Sequence, residues 1–251
     1  MNREELRSYI GITGYSLGQV EKDYFQHMIL GALSRKSGAG LVFKGGTALQ
    51  KIGIIPRFSE DLDFTLVKDL TLQGLIDNTL SVVKNYNFIA EADNLVDDER
   101  TLDFRIKIQG PLYRNRQGIC TIRIEVSKRE PVLLEPDRKE LTPPYSDILP
   151  YIIYIMQKEE ILSEKIRAIY TRHRARDLYD ISKILKKGAR LDIDLANKKL
   201  EYYDLTFDAS TFLRNCERLE PNWENELQSL LEDIIPYKRA LSAVKDMLSE
   251  G

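Results

Sequence analysis

Two aspartates, Asp61 and Asp63, sit two residues apart in a stretch that alternates Asp-Leu-Asp-Phe-Thr-Leu. Strand periodicity puts both carboxylates on one face and Leu62 and Phe64 on the other, core-facing side. Two like charges side by side repel unless a cation or a proton lies between them. A short distance upstream, Gly45-Gly46 ends a predicted strand (Leu41–Lys44) and opens a predicted helix (Thr47–Ile52). Free backbone N–H groups at such a turn favour phosphate. Either motif alone is common: Gly-Gly as a turn, Asp-x-Asp as a solvated strand face. On consecutive strands of one compact unit they meet the requirements of a metal–triphosphate site.

Further groups lie downstream. In the run Ile119–Val126, Arg123 and Glu125 share one face and Ile122, Ile124 and Val126 the other. Glu125 either completes a triad with Asp61 and Asp63 or is an exposed strand residue, Arg123 and Glu125 pairing across to Arg105 or Lys107. Helical spacing sets Ile161, Lys165, Ala168 and Arg172 in one row at the edge of an apolar face, which puts Lys165 partly inside and along an inter-lobe cleft. Asp177 and Asp180, three apart, share a face of the next helical stretch. Residues 158–190 hold ten Lys or Arg against five Asp or Glu, a local charge of +5, leaving −7 elsewhere. A solvated helix surface explains Lys183, Lys186 and Lys187 well, and an edge-of-core Lys165 less well.

The elements that must position these residues follow from patterning. Ser16 and Gln19 form a capping box before a helix running to about Arg35. Leu70–Val83 reads as an amphipathic helix. Leu102–Ile108 and Ile119–Val126 read as an antiparallel hairpin with a long tip. Prolines 131, 136, 143, 144 and 150 make the next stretch irregular, with a short strand around Ile152–Ile155, and nearly everything from Gln157 to Ser249 is helix-like. The expectation is an α/β unit over residues 1–150 and a helical unit over 151–251.

Composition narrows the chemistry. Among 251 residues, 37 Lys or Arg against 39 Asp or Glu do not make a strongly basic nucleic-acid binder, though a local patch is compatible. Cys120 and Cys216 are the only cysteines and His27 and His173 the only histidines, which excludes a disulfide scaffold, a zinc ribbon and a multi-histidine metal site. A metal here must sit on carboxylates, which favours magnesium or manganese. The charged N-terminus is not a signal peptide, and the longest apolar run, Ile148–Met156, is far short of the roughly 20 residues of a membrane span. The expectation is a soluble cytoplasmic protein.

Taken together, KGGTAL, RFSEDLDF, RIEVSKREPV and EKIRAIYTRHRARDLYDI, in that order over residues 44–181, resemble the AbiEii/AbiGii nucleotidyltransferase toxin family of type IV toxin–antitoxin and abortive-infection systems. The resemblance implies an α+β fold: a polymerase β-type nucleotidyltransferase core of mixed sheet and flanking helices, then an all-helical C-terminal lobe. It implies transfer of a nucleotide from a nucleoside triphosphate, with Mg²⁺ or Mn²⁺, to an RNA acceptor such as a tRNA 3′ end, and an antitoxin partner. The family's first motif falls on Gly45, Gly46, Ser59, Asp61 and Asp63, and its second on Arg123 and Glu125, where Arg replaces the usual Lys. The third falls on Glu164-Lys165 and the fourth on Arg176, Asp177 and Asp180, of which Asp180 best fits the essential acid.

The roles implied are metal binding by Asp61, Asp63 and Glu125; catalysis by these three with Lys165 and Asp180; and nucleotide contacts from Lys44, Gly45, Gly46, Thr47, Ser59, Lys165, Arg176 and Asp177. The basic segment 158–190 is the expected place for RNA. Two other readings stay open: transfer to a protein or small molecule, and a nucleotide-binding module without turnover.

Overall fold

The computed structural model describes residues 1–231 and 233–250, with side chains for all of these but 250. The chain divides into two compact units. One comprises Met1–Ala48, Glu60–Val132 and Pro136–Ile155; the other comprises Leu49–Ser59, Leu133–Glu135 and Met156–Gly251. Against the break expected near residue 150, residues 151–155 remain with the first unit and two earlier segments join the second.

The first unit opens with α1 (Arg3–Ser8), α2 (Ile10–Thr13) and α3 (Leu17–Ser37), followed by β1 (Leu41–Lys44), the start of α4 (Gly45–Lys51, from Leu49 in the other unit), β2 (Leu62–Leu66) and α5 (Leu72–Asn85). It continues with β3 (Ile89–Asp97), β4 (Thr101–Gln109), β5 (Cys120–Ser127), β6 (Asp137–Leu141) and β7 (Tyr151–Ile155). The strands form one mixed seven-stranded sheet in the order β3-β4-β5-β2-β1-β7-β6. β2 runs antiparallel to β1 and parallel to β5, so the Asp-x-Asp strand is interior, with a neighbour on each side.

α3 explains much of this unit. Its Ser16–Gln19 capping box forms as the spacing predicts. The helix is buried from Val20 to Leu33 except at Lys22, and its polar residues survive burial by bonding outward. Asp23 accepts from the Tyr145 hydroxyl at 2.7 Å, Glu21 from the Leu112 N–H at 2.7 Å, and Gln26 Nε2 donates to the Glu60 carbonyl at 2.9 Å. The β4–β5 hairpin has the expected alternation: Ile122, Ile124 and Val126 are buried, with Arg123 and Glu125 on the other face.

Two strands depart from the sequence reading. β3 is an edge strand, and its mixed polar pattern reflects one unpaired side and a register shift between Asp93 and Val96. β6 lies within the proline-rich stretch expected to be irregular. Its DRKEL sequence is exposed except at Leu141, because only β7 flanks it.

The second unit is helical: α6 (Lys158–Thr171), α7 (Ala175–Lys186), α8 (Ile193–Glu201), α9 (Ala209–Glu217), α10 (Trp223–Leu227) and α11 (Tyr237–Glu250). α6 and α7 pack on each other, α8 packs on α6, and α11 packs on α7. Tyr179 of α7 and Trp223 of α10 are buried near each other in its core, their ring centroids 6.4 Å apart.

Candidate active site

The carboxylate group is assembled by strand register. Asp63 lies directly opposite Glu125 on β5 and opposite Lys44 on β1. Asp61 immediately precedes β2. Like Asp63 it is half-buried, while Leu62 and Phe64 are buried. The backbone before the strand is pinned from two sides. The Thr47 hydroxyl donates to the Asp61 carbonyl, and Gln26 of α3 holds the Glu60 carbonyl. Gln26 went unnoticed in the sequence because its partner is 34 residues away and nothing marks a buried amide on a helix that is buried all round.

Gly45 is required for two reasons. Its φ is +75°, a conformation that side chains rarely adopt, and a Cβ there would collide with the Asp63 carboxylate and lie 3.1 Å from the Asp63 Cβ. The glycine therefore gives the Asp63 side chain its room. Gly45→Ala is expected to cost about 1–2 kcal/mol for the left-handed backbone, seen in the urea midpoint. Nucleotide transfer should fall further, on the order of 10²-fold, because the Asp63 carboxylate is displaced.

Arg123 does not pair with its cross-strand neighbour Arg105 or with Lys107. Its guanidinium bonds Asp103 and reaches Glu125 at 2.8 Å, and Asp103 is the residue opposite Glu125 in the hairpin register. Asp103 holds the Arg123 charge firmly: its hydrogen bond outweighs burial and raises the guanidinium pKa. Glu125 is thus already partly neutralised. Among the described residues no three His, Cys, Asp or Glu side chains converge as a ready metal cage. Magnesium does not need one, since it is commonly held by one or two carboxylates together with substrate phosphates and water. Asp61 and Asp63 fit that donor set, with Glu125 adjacent through its register with Asp63.

The second group lies within the helical unit. Lys165 of α6 is buried, and its ammonium sits between Asp177 Oδ1 at 2.9 Å and Asp180 Oδ2 at 2.8 Å, both on α7 and both fully buried. Arg57 completes the cluster. Its Nε and Nη2 make a two-pronged contact with the Asp180 carboxylate, each at 2.7 Å, and Nη1 donates to the Phe58 carbonyl. Arg172 adds bonds to Asp177. Three cations on two anions leave a surplus of one positive charge. Arg57 escaped sequence reasoning because it lies 123 residues from Asp180. The legible hint was its place in RFSEDLDF, four residues before Asp61.

Burial opposes every charge in this cluster, and the partners outweigh it. Lys165 is held above the ordinary lysine pKa by Asp177 and Asp180 despite desolvation. Desolvation likewise raises Asp177, but Lys165 and Arg172 bring it down to about 2, and Asp180 is lowered by Lys165 and Arg57. Carboxylates depressed in the folded state bind protons first when unfolded, so their stabilisation is present above the unfolded pKa. It is lost as pH falls from 3.8 towards 2. Asp177 alone is expected to account for about 2 kcal/mol over that window; urea denaturation at a series of acid pH values measures it.

The predicted residues therefore fall into two groups, each within one unit. Lys44, Gly45, Gly46, Thr47, Asp61, Asp63 and Glu125 belong to the sheet unit, and Ser59, Lys165, Arg176, Asp177 and Asp180 to the helical one. Ser59 is tied locally, its N–H donating to Gln50 Oε1 at 3.0 Å, and Arg176 is exposed.

This mixed sheet with an interior Asp-x-Asp strand beside a glycine turn, joined to a helical unit, has the fold of the nucleotidyltransferases. A Helicobacter pylori protein ascribed nucleotidyltransferase activity superposes with a TM-score of 0.68 at 21% identity, over 94% of this chain and 95% of that one. JHP933 from Helicobacter pylori gives 0.62 at 20% identity, over 94% and 92%. The nucleotidyltransferase toxin MenT4 from Mycobacterium tuberculosis H37Rv gives 0.66 at 19% identity, over 99% and 89%. No curated protein sequence matches the chain. The profile of the AbiEii nucleotidyl transferase toxins of type IV toxin–antitoxin systems matches residues 29–249, and the chain belongs to that family. It is a nucleotidyltransferase. Among the described residues no helix is long and apolar enough to cross a membrane.

Proposed function

We propose that the protein transfers a nucleoside monophosphate from a nucleoside triphosphate to an RNA hydroxyl, a tRNA 3′ end being the first acceptor to test, and releases pyrophosphate. An antitoxin encoded with it counters this activity. The observation that carries the reading is the register of Asp63 with Glu125 across β2 and β5, with Asp61 pinned just before the strand and Gly45 clearing the Asp63 side chain.

Asp61 and Asp63 would hold Mg²⁺ or Mn²⁺, which supplies charge neutralisation at the triphosphate when bound. Glu125, in register with Asp63, would accept the proton of the attacking hydroxyl or assist at the metal. Backbone N–H groups of Gly45, Gly46 and Thr47, with Lys44 and Ser59, would bind phosphate oxygens. Lys165, oriented by Asp177 and Asp180 within a cluster of net positive charge, counters triphosphate charge, and Arg176 contributes at the nucleotide. The attacking oxygen forms a bond to the α-phosphorus as the bond to the pyrophosphate oxygen breaks. Positioning and electrostatics supply most of the acceleration.

The test is incubation of the full chain with each labelled nucleoside triphosphate, Mg²⁺ and total tRNA, followed by sequencing of the RNA 3′ ends. Labelled RNA with one added nucleotide type supports the proposal. Labelled protein, or transfer indifferent to RNA, moves the acceptor to a protein or small molecule. Nucleotide binding with no pyrophosphate released from any of the four sinks the catalytic reading.

A further inference from the structure

The +5 segment 158–190 does not spread its charge evenly once folded. Lys165 and Arg172 are spent on Asp177, Arg174 reaches Glu226, and Lys158 lies near Glu159. Three of the others, Lys183, Lys186 and Arg190, gather at a cleft between α7 and α11, within the helical unit. Lys183, Lys186 and Arg190 line one side and Arg239 the other, with Asp246 the one carboxylate on the wall among the described residues. Among the described residues no carboxylate is ion-paired with any of these four cations. Lys183 lies over the Tyr179 ring, and its pKa is lowered by burial and then by Lys186 and Arg239, so neighbouring positive charges meet here. The cleft floor is apolar, with Ala189 and Met247 buried and Ile235 beside them. Its volume is about 810 Å³, within the roughly 300–1,000 Å³ of small-molecule sites.

We propose that this cleft is a binding site for a small organic phosphate of nucleotide size, its phosphate on Lys183, Lys186, Arg190 and Arg239 and its planar or apolar body on the floor. Four cations on a concave wall offer several charge-assisted bonds to one phosphate. A floor of aliphatic carbon adds what inorganic phosphate cannot use. A helix surface charged only for solubility would present these side chains on a convex face interspersed with acids. The proposal stands independently of the transfer reaction, because none of these residues belongs to the carboxylate group or to the Lys165 cluster.

Trp223, the single tryptophan, reports on the site: its Nε1 donates to the carbonyl of Ile235, which lines the cleft. The experiment titrates the full chain with AMP in EDTA, so that metal-dependent binding at the carboxylates is silent, and follows tryptophan emission and calorimetric heat. Expected is a saturable response that adenosine fails to reproduce, weakened about tenfold or more in the double variant Lys186→Glu/Arg239→Glu and unchanged in Asp61→Asn. The double variant should melt like the parent, since both side chains are exposed and make no ion pair among the described residues. Absence of both signals overturns the proposal, as does unaltered affinity in the double variant. A response to an oligoribonucleotide but not to AMP also overturns it, and would make the cleft a contact for RNA backbone.

Discussion

Asp63→Asn is expected to lower nucleotide transfer on the order of 10³-fold or more while leaving the melting temperature unchanged or slightly raised. The amide keeps the size and half-burial of the side chain, and Leu62 and Phe64 continue to anchor the strand. What disappears is the anionic oxygen facing Glu125 across the parallel pair. Removing one of two neighbouring like charges also relieves repulsion with Asp61. Transfer is measured as radiolabel from α-labelled triphosphate in precipitated RNA, and folding by circular dichroism. A variant that stays folded and retains a tenth of the activity would take Asp63 out of the metal-binding role proposed for it.

Asp180→Ala carries the largest expected effect on stability. Asp180 is fully buried, and its carboxylate receives both prongs of Arg57 together with Lys165. Truncation leaves two buried cations with Asp177 as the remaining acid, which costs about 3–5 kcal/mol. The cost should show as a lower urea midpoint. Arg57→Met paired with Asp180→Leu removes charge from both sides at once and should destabilise less than the two single changes summed. Additive losses would mean that the two-pronged contact contributes no coupling. Ser59 and the Asp-x-Asp strand follow Arg57 within a few residues, so transfer should fall in Arg57→Met beyond the loss explained by unfolding.

How much of this was legible in the chain depends on the range of the interactions. The α3 capping box, the Gly45 turn, the β4–β5 hairpin and the alternation in β2 are set by neighbours within a few residues, and periodicity finds them. The edge strands escaped. β3 pairs on one side alone, so its residues mix polar and apolar types, and β6 is a charged pentapeptide among prolines. Long-range partners escaped too: Arg57 with Asp180, Gln26 with Glu60, and Arg123 with Asp103 are settled by the register or packing of distant segments. Asp177 was visible as a candidate for nucleotide contact. The structure shows it holding Lys165 and Arg172.

The discontinuity of the helical unit has a consequence for the order in which the protein becomes active as it is made. Every strand of the sheet unit has left the ribosome once residue 155 is clear, so that unit has all its parts early. Leu49–Ser59, though synthesised first, belongs to the other unit and must wait about 120 residues for Asp180, the acid that receives Arg57. A chain released prematurely, ending anywhere between β2 and α7, therefore carries both aspartates of the Asp-x-Asp motif but lacks the anchor for the segment leading into them. For an enzyme of a toxin family, this withholds the finished segment from incomplete chains.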